Sequence, residues 1–120
     1  MSIITIILAI LVGLEFIYIM YLETFATNSN RTAKVFKLSS NDLQNPIVQT
    51  LFKNQGIYNG LITLLILVAL LYQSTVALEW LMIYIIAVAI YGSFTSNPKI
   101  IFLQGGGLPI LTLLSIWVFN

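Results

Sequence analysis

Apolar residues fill four stretches of the chain, at residues 3–25, 46–72, 76–94 and 100–119, and polar breaks separate them. Each stretch reaches or approaches the roughly 20 residues a helix needs to cross a bilayer. Only Glu15 and Glu23 interrupt the first. At about 100° per residue, Leu8, Leu11, Glu15, Tyr18, Ile19 and Leu22 share a face, and Glu23 lies about 80° around from Glu15 and two turns on. Both acids can therefore face a bundle interior. The second stretch is aliphatic over 61–71, but its other half carries Lys53-Asn54-Gln55-Gly56-Ile57-Tyr58-Asn59-Gly60. On a helix Asn54, Gln55, Tyr58 and Asn59 fall within about 140°. Gly56 and Gly60, four apart, allow a neighbouring backbone to come close. In the third stretch Glu79 and Trp80 suit an interfacial acid and an aromatic belt, with Tyr84, Tyr91 and Gly92 further along. The fourth carries Gln104, Gly105-Gly106-Gly107 and Pro109, a run that cannot be a strong regular helix. In lipid, such a break is tolerated only where protein or a wet cavity covers the freed backbone.

The longest break, 27–45, holds Arg31, Lys34 and Lys37. Within it Leu38-Ser39-Ser40-Asn41-Asp42 reads as a helix start, with Ser40 or Asn41 as cap and Asp42 in the first turn. Asn45-Pro46 allows a second reading, in which a short interfacial turn ends and the next crossing begins at Pro46. Both stay open.

The composition makes lipid the expected solvent. The chain is 59% hydrophobic with a mean hydropathy of +0.99, and only 8% charged, against about one quarter in a soluble domain. The predicted fold is all-α: a single integral membrane four-helix bundle over residues 1–120, multi-pass in the cytoplasmic membrane. Lys and Arg fall in the 27–45 loop, at Lys53 and at Lys99, and none lies in either tail. That bias predicts a cytoplasmic loop and extracytoplasmic termini. No Lys or Arg precedes the first apolar run and no small-residue cleavage site follows, so that run is expected to be retained. A net charge of +1 gives no reason to expect nucleic acid. Without cysteine or histidine, disulfides, thiol chemistry and the usual zinc sets drop out, and no metal or cofactor is expected. Acid–base work would fall to four carboxyl groups, six tyrosines and the lysines.

Depth gathers the polar residues. Glu15 lies near mid-membrane and Glu23 near the inner end of the first helix. Asn54 and Gln55 lie near the level of Glu23, and Asn59 closer to Glu15. Tyr91 and Gln104 belong to the same half. The expectation is a polar cavity open to the cytoplasm or inner leaflet, closed on the outside by aliphatic packing. Its candidate ligand-binding residues are Glu15, Tyr18, Glu23, Asn54, Gln55, Tyr58, Asn59 and Gln104. The plainer alternative is bonding between helices, at about 0.6 kcal/mol per contact. An acid at the bilayer centre is costly, which favours a functional Glu15, whereas Glu23 could equally pair with Lys53 or a basic loop residue.

At these residues the chain resembles the small bacterial four-helix membrane proteins grouped as domain of unknown function 1304. The matching pieces are Leu14-Glu15 with Tyr18, Leu22-Glu23-Thr24-Phe25, and Lys34-Val35-Phe36-Lys37-Leu38-Ser39. They continue with Asn54-Gln55-Gly56-Ile57-Tyr58-Asn59-Gly60, Tyr91-Gly92, and Gln104-Gly105 with Leu108-Pro109. The resemblance implies four helices and a shared polar site, and carries no activity with it.

The function expected from the residues is binding or transport of a small molecule or lipid. Four short helices hardly enclose a pathway alone, so transport would need a homo-oligomer. An intramembrane lipid-modifying enzyme is the alternative, with Glu15 and Glu23 as an acid–base pair and Tyr18, Tyr58 and the amides orienting substrate. An accessory or structural subunit is the third reading.

Overall fold

The computed structural model describes residues 1–95 and 107–120, and every regular element within them is helical. Helix α1 (Ile3–Met20) runs on into a π turn at Tyr21–Phe25. Two short helices follow, α2 (Asn30–Phe36) and α3 (Ser40–Gln44), then α4 (Pro46–Leu71), α5 (Thr75–Thr95) and α6 (Gly107–Phe119). With its π turn α1 has 23 residues, α4 has 26 and α5 has 21. At about 1.5 Å per residue each spans the roughly 30 Å of a bilayer core. Three helices are therefore long and apolar enough to cross a membrane. The described part of the expected fourth crossing is α6, whose 13 residues reach only about 20 Å. Gln104, Gly105 and Gly106 lie outside the described residues.

Short polar side chains start these helices where the orphan N–H groups of a first turn need acceptors. Ser2 Oγ accepts from Thr5 N at the start of α1, and Ser29 Oγ from Thr32 N at the start of α2. Both readings of the polar loop are realised in succession. A short helix begins one residue earlier than expected, with Ser39 and Asp42 forming a capping box. Then Asn45 Oδ1 accepts from Ile47 N, and Pro46 takes the first position of α4. In the tight connection before α5, Ser74 Oγ accepts from Ala77 N.

Four helices lie side by side. Helix α1 sits between α4 and α6, and α5 leans on α4 and α6. Among the buried residues of α1 and its π turn, Thr5, Ala9, Val12, Phe16, Ile19 and Glu23 form one series along the chain. Those alternating steps of four and three are the seam of a left-handed bundle. On α5 the same alternation picks out Leu78, Met82, Ile85 and Ala89. Side chains such as Ile7, Leu14, Leu64, Val88 and Val118 point outward and leave an apolar exterior. Polar contacts along the bundle tie the helices together. Thr63 Oγ1 donates to the Gly13 carbonyl at 2.8 Å, and Thr5 Oγ1 meets Ser115 Oγ at 2.8 Å. The close approach expected at Gly56 and Gly60 is present. A Cβ on Gly56 would overlap Thr24 Oγ1, and one on Gly60 would overlap Met20 Sδ. The neighbours are side chains rather than backbone.

Candidate functional site

The buried seam of α1 ends on an acid. Glu23 is 0% exposed, and a carboxylate taken from water needs strong partners to offset the cost. It has two. Gln55 Nε2 donates to Glu23 Oε2 at 2.5 Å, and Asn59 Nδ2 donates to Glu23 Oε1 at 2.5 Å. Gln55 and Asn59 lie one turn apart on α4, so both can reach one carboxylate. Sequence reasoning also allowed Lys53 or a loop cation as partner. Instead both bonds come from amides, while Lys53 contributes its carbonyl, which accepts from Thr24 Oγ1 at 3.1 Å.

The backbone that carries Glu23 is a π turn, marked by the bond from Ala26 N to the Tyr21 carbonyl. Its freed carbonyls do not go unmatched. Thr27 Oγ1 donates to the Glu23 carbonyl at 2.6 Å. Thr32 Oγ1 donates to those of Leu22 and Ala26 at 3.0 and 2.7 Å. Both threonines are buried. The acid is thus held at both ends, by threonines at its backbone and by amides at its carboxylate.

Beside the amides a cleft of about 500 Å³ opens between α4 and α5. Gln55 and Asn59 form its polar wall. Phe36, Phe52, Tyr58, Tyr84 and Tyr91 supply the aromatic surface. Phe36 and Phe52 meet edge to face with centroids 5.3 Å apart. Tyr58, Tyr84 and Tyr91 are largely exposed, so the cleft opens sideways between the two helices. Tyr58 and Tyr84 also line an apolar groove of about 490 Å³ that continues along α4 and α5 past Leu61, Leu65, Trp80 and Leu81. Leu65, Ala77 and Leu81 then carry it on toward Tyr72 and Ser74.

Of the candidates named from sequence, Glu23, Gln55 and Asn59 come together, and Tyr58 faces the same cleft. Asn54 is exposed and lines no part of the cleft. Tyr18 is exposed on α1, where its hydroxyl accepts from Arg31 at 3.0 Å. Glu15 is half-buried, eight residues or about 12 Å along the helix from Glu23, and its Oε1 has no hydrogen-bond partner among the described residues. Gln104 lies outside the described residues. Tyr84 and Tyr91 were not read as site residues. Their seven-residue spacing, with Val88 between, is the signal that places them on one face. Glu79, read as interfacial, accepts from Trp117 Nε1 at 3.1 Å at an exposed position. Among the described residues no cluster of three acids could hold a metal ion.

The profile of a family described as "Protein of unknown function (DUF1304)" matches residues 10–117. The chain is 58% identical over 117 residues to a protein of Lactococcus lactis subsp. lactis (strain IL1403) described as "Uncharacterized protein YpaA". The match covers 96% of this chain and 98% of the other. No solved structure matches.

Proposed function

The chain belongs to the DUF1304 family of proteins of unknown function, and from that premise we propose that it is a multi-pass membrane protein that binds an amphiphile in the α4–α5 cleft. In this reading α6 and the residues before it form a fourth crossing beside the three long helices. Arg31, Lys34, Lys37, Lys53 and Lys99 mark the cytoplasmic side, and both termini lie outside. The polar end of the cleft then opens toward the inner leaflet.

One observation carries the reading: the cleft joins a polar wall to a long apolar groove. Its volume suits a small organic ligand. Gln55 and Asn59, anchored on Glu23, give a head group fixed partners. The groove past Leu65 and Leu81 gives a tail somewhere to lie.

Val88 lines the cleft from α5 and is half exposed, so Val88→Trp should fill the space. Native mass spectrometry from nonionic detergent tests this. Wild-type protein should retain one amphiphile per chain, and Val88→Trp should lose it at an unfolding midpoint within a few degrees of wild type. Wild-type protein that carries nothing, or a variant that keeps the same load, would count against the reading.

A further inference from the structure

The chemistry of the cleft selects a head group. We infer that the occupant is a cationic amphiphile, with an alkylated ammonium at the amide wall and an alkyl tail in the groove toward Trp80. This rests on the amphiphile reading above and adds the sign of the charge.

The orientation of the two amides is the first argument. Gln55 and Asn59 both turn their N–H groups to Glu23. Their carbonyl oxygens are what remains for the cleft. Neither Gln55 Oε1 nor Asn59 Oδ1 receives a hydrogen bond from the described residues, and neither is a sealed orphan atom. The wall thus presents the negative ends of two amide dipoles to the cleft.

The second argument is the aromatic surface. Phe36, Phe52, Tyr58, Tyr84 and Tyr91 turn around one space. Aromatic faces attract ammonium groups, and quaternary ones most distinctively, because such a cation cannot be held by donated hydrogen bonds. Among the described residues this lining holds no cation source. No Lys or Arg lines the cleft among the described residues, and Lys53 lies on the other flank of α4, beside Thr24 and Phe25. An anionic head would meet the amide oxygens with its own negative charge. A sugar head could donate to the oxygens but would forgo the attraction of the rings.

Radiolabelled octyltrimethylammonium, measured by scintillation proximity on the full chain in nonionic detergent, provides the test. Octyl sulfate and octyl glucoside compete with the same tail. Saturable binding is expected, with both competitors at least tenfold weaker than unlabelled octyltrimethylammonium. Tyr91 is exposed, so Tyr91→Ala should fold normally. It should weaken the cation about three- to tenfold, as loss of one ring face implies, and leave octyl glucoside unchanged. Equal competition by all three heads, or tighter binding of the sulfate, would overturn the cationic assignment and leave the amphiphile cleft standing. No saturable binding of any of the three, in wild type as in Val88→Trp, would bring down both.

Discussion

Glu23→Ala tests the central feature of the site, the carboxylate held between two amides. A hydrogen bond between neutral side chains of membrane helices is worth about 0.6 kcal/mol. An ionised acceptor roughly doubles that, so the two bonds to Gln55 and Asn59 come to about 2.4 kcal/mol. Gln55 is exposed and can turn away, but Asn59 is only 9% exposed and would be left with an unmatched amide. That adds about 1 kcal/mol. The expected loss is about 3 kcal/mol, or roughly 12 °C at about 4 °C per kcal/mol for a chain of this size. Thermal unfolding in one detergent, followed by far-ultraviolet circular dichroism, reads it. Two further variants make the reasoning specific. Asn59→Asp sets a second carboxylate against the first and should cost at least as much. Combining it with Glu23→Gln restores a donor facing an acceptor in the opposite sense. The double variant should recover to within about 1 kcal/mol of wild type, as a coupled pair must. A fall of less than about 2 °C in Glu23→Ala, or a double variant no better than Asn59→Asp alone, would refute the paired arrangement.

Glu15→Gln is expected to leave the unfolding midpoint unchanged or raised, because the acid has a buried oxygen without a partner among the described residues and an amide avoids burying a charge. A drop of more than about 4 °C would mean that its charge is bonded in the folded state. The absence of cysteine makes topology directly measurable: a membrane-impermeant maleimide should label Asn120→Cys on intact cells and Asn41→Cys only once the membrane is opened, and the reverse pattern would invert the proposed orientation.

The long helices were legible because length and hydropathy alone define a crossing, and Pro46 and the short polar breaks punctuate them. The direction of each helix face was not. Helix α1 is apolar on every side, so hydropathy has no preferred direction around it. What marks its inner face is the step of four and three through Thr5, Ala9, Val12, Phe16 and Ile19, and Glu23 is the next member of that series. Glu15 lies about 80° around from the centre of that seam. Depth alone grouped the two acids, and the helix sets them about 12 Å apart. The same geometry divides Asn54 from Gln55, because neighbours on a helix cannot face one partner. The π turn, and the threonines that satisfy it, depend on backbone bonds between segments and left no pattern in the apolar run.

Gly56 explains why the carboxylate finds amides rather than a lysine. It lies between Gln55 and Asn59 on the face of α4 turned to α1, and an added Cβ there would come within 3.0 Å of Glu23 Cβ and overlap Thr24 Oγ1. The missing side chain lets the π turn settle against α4, one turn from where Met20 covers Gly60. At that separation a glutamate side chain is just long enough to reach the amide on either side of the glycine. Lys53, further along and already in contact with Thr24 through its carbonyl, points to the other flank. The glycine and the acid therefore act as one unit. The first sets the helix spacing, the second fixes the two amides at that spacing, and the amide oxygens that line the cleft follow from both.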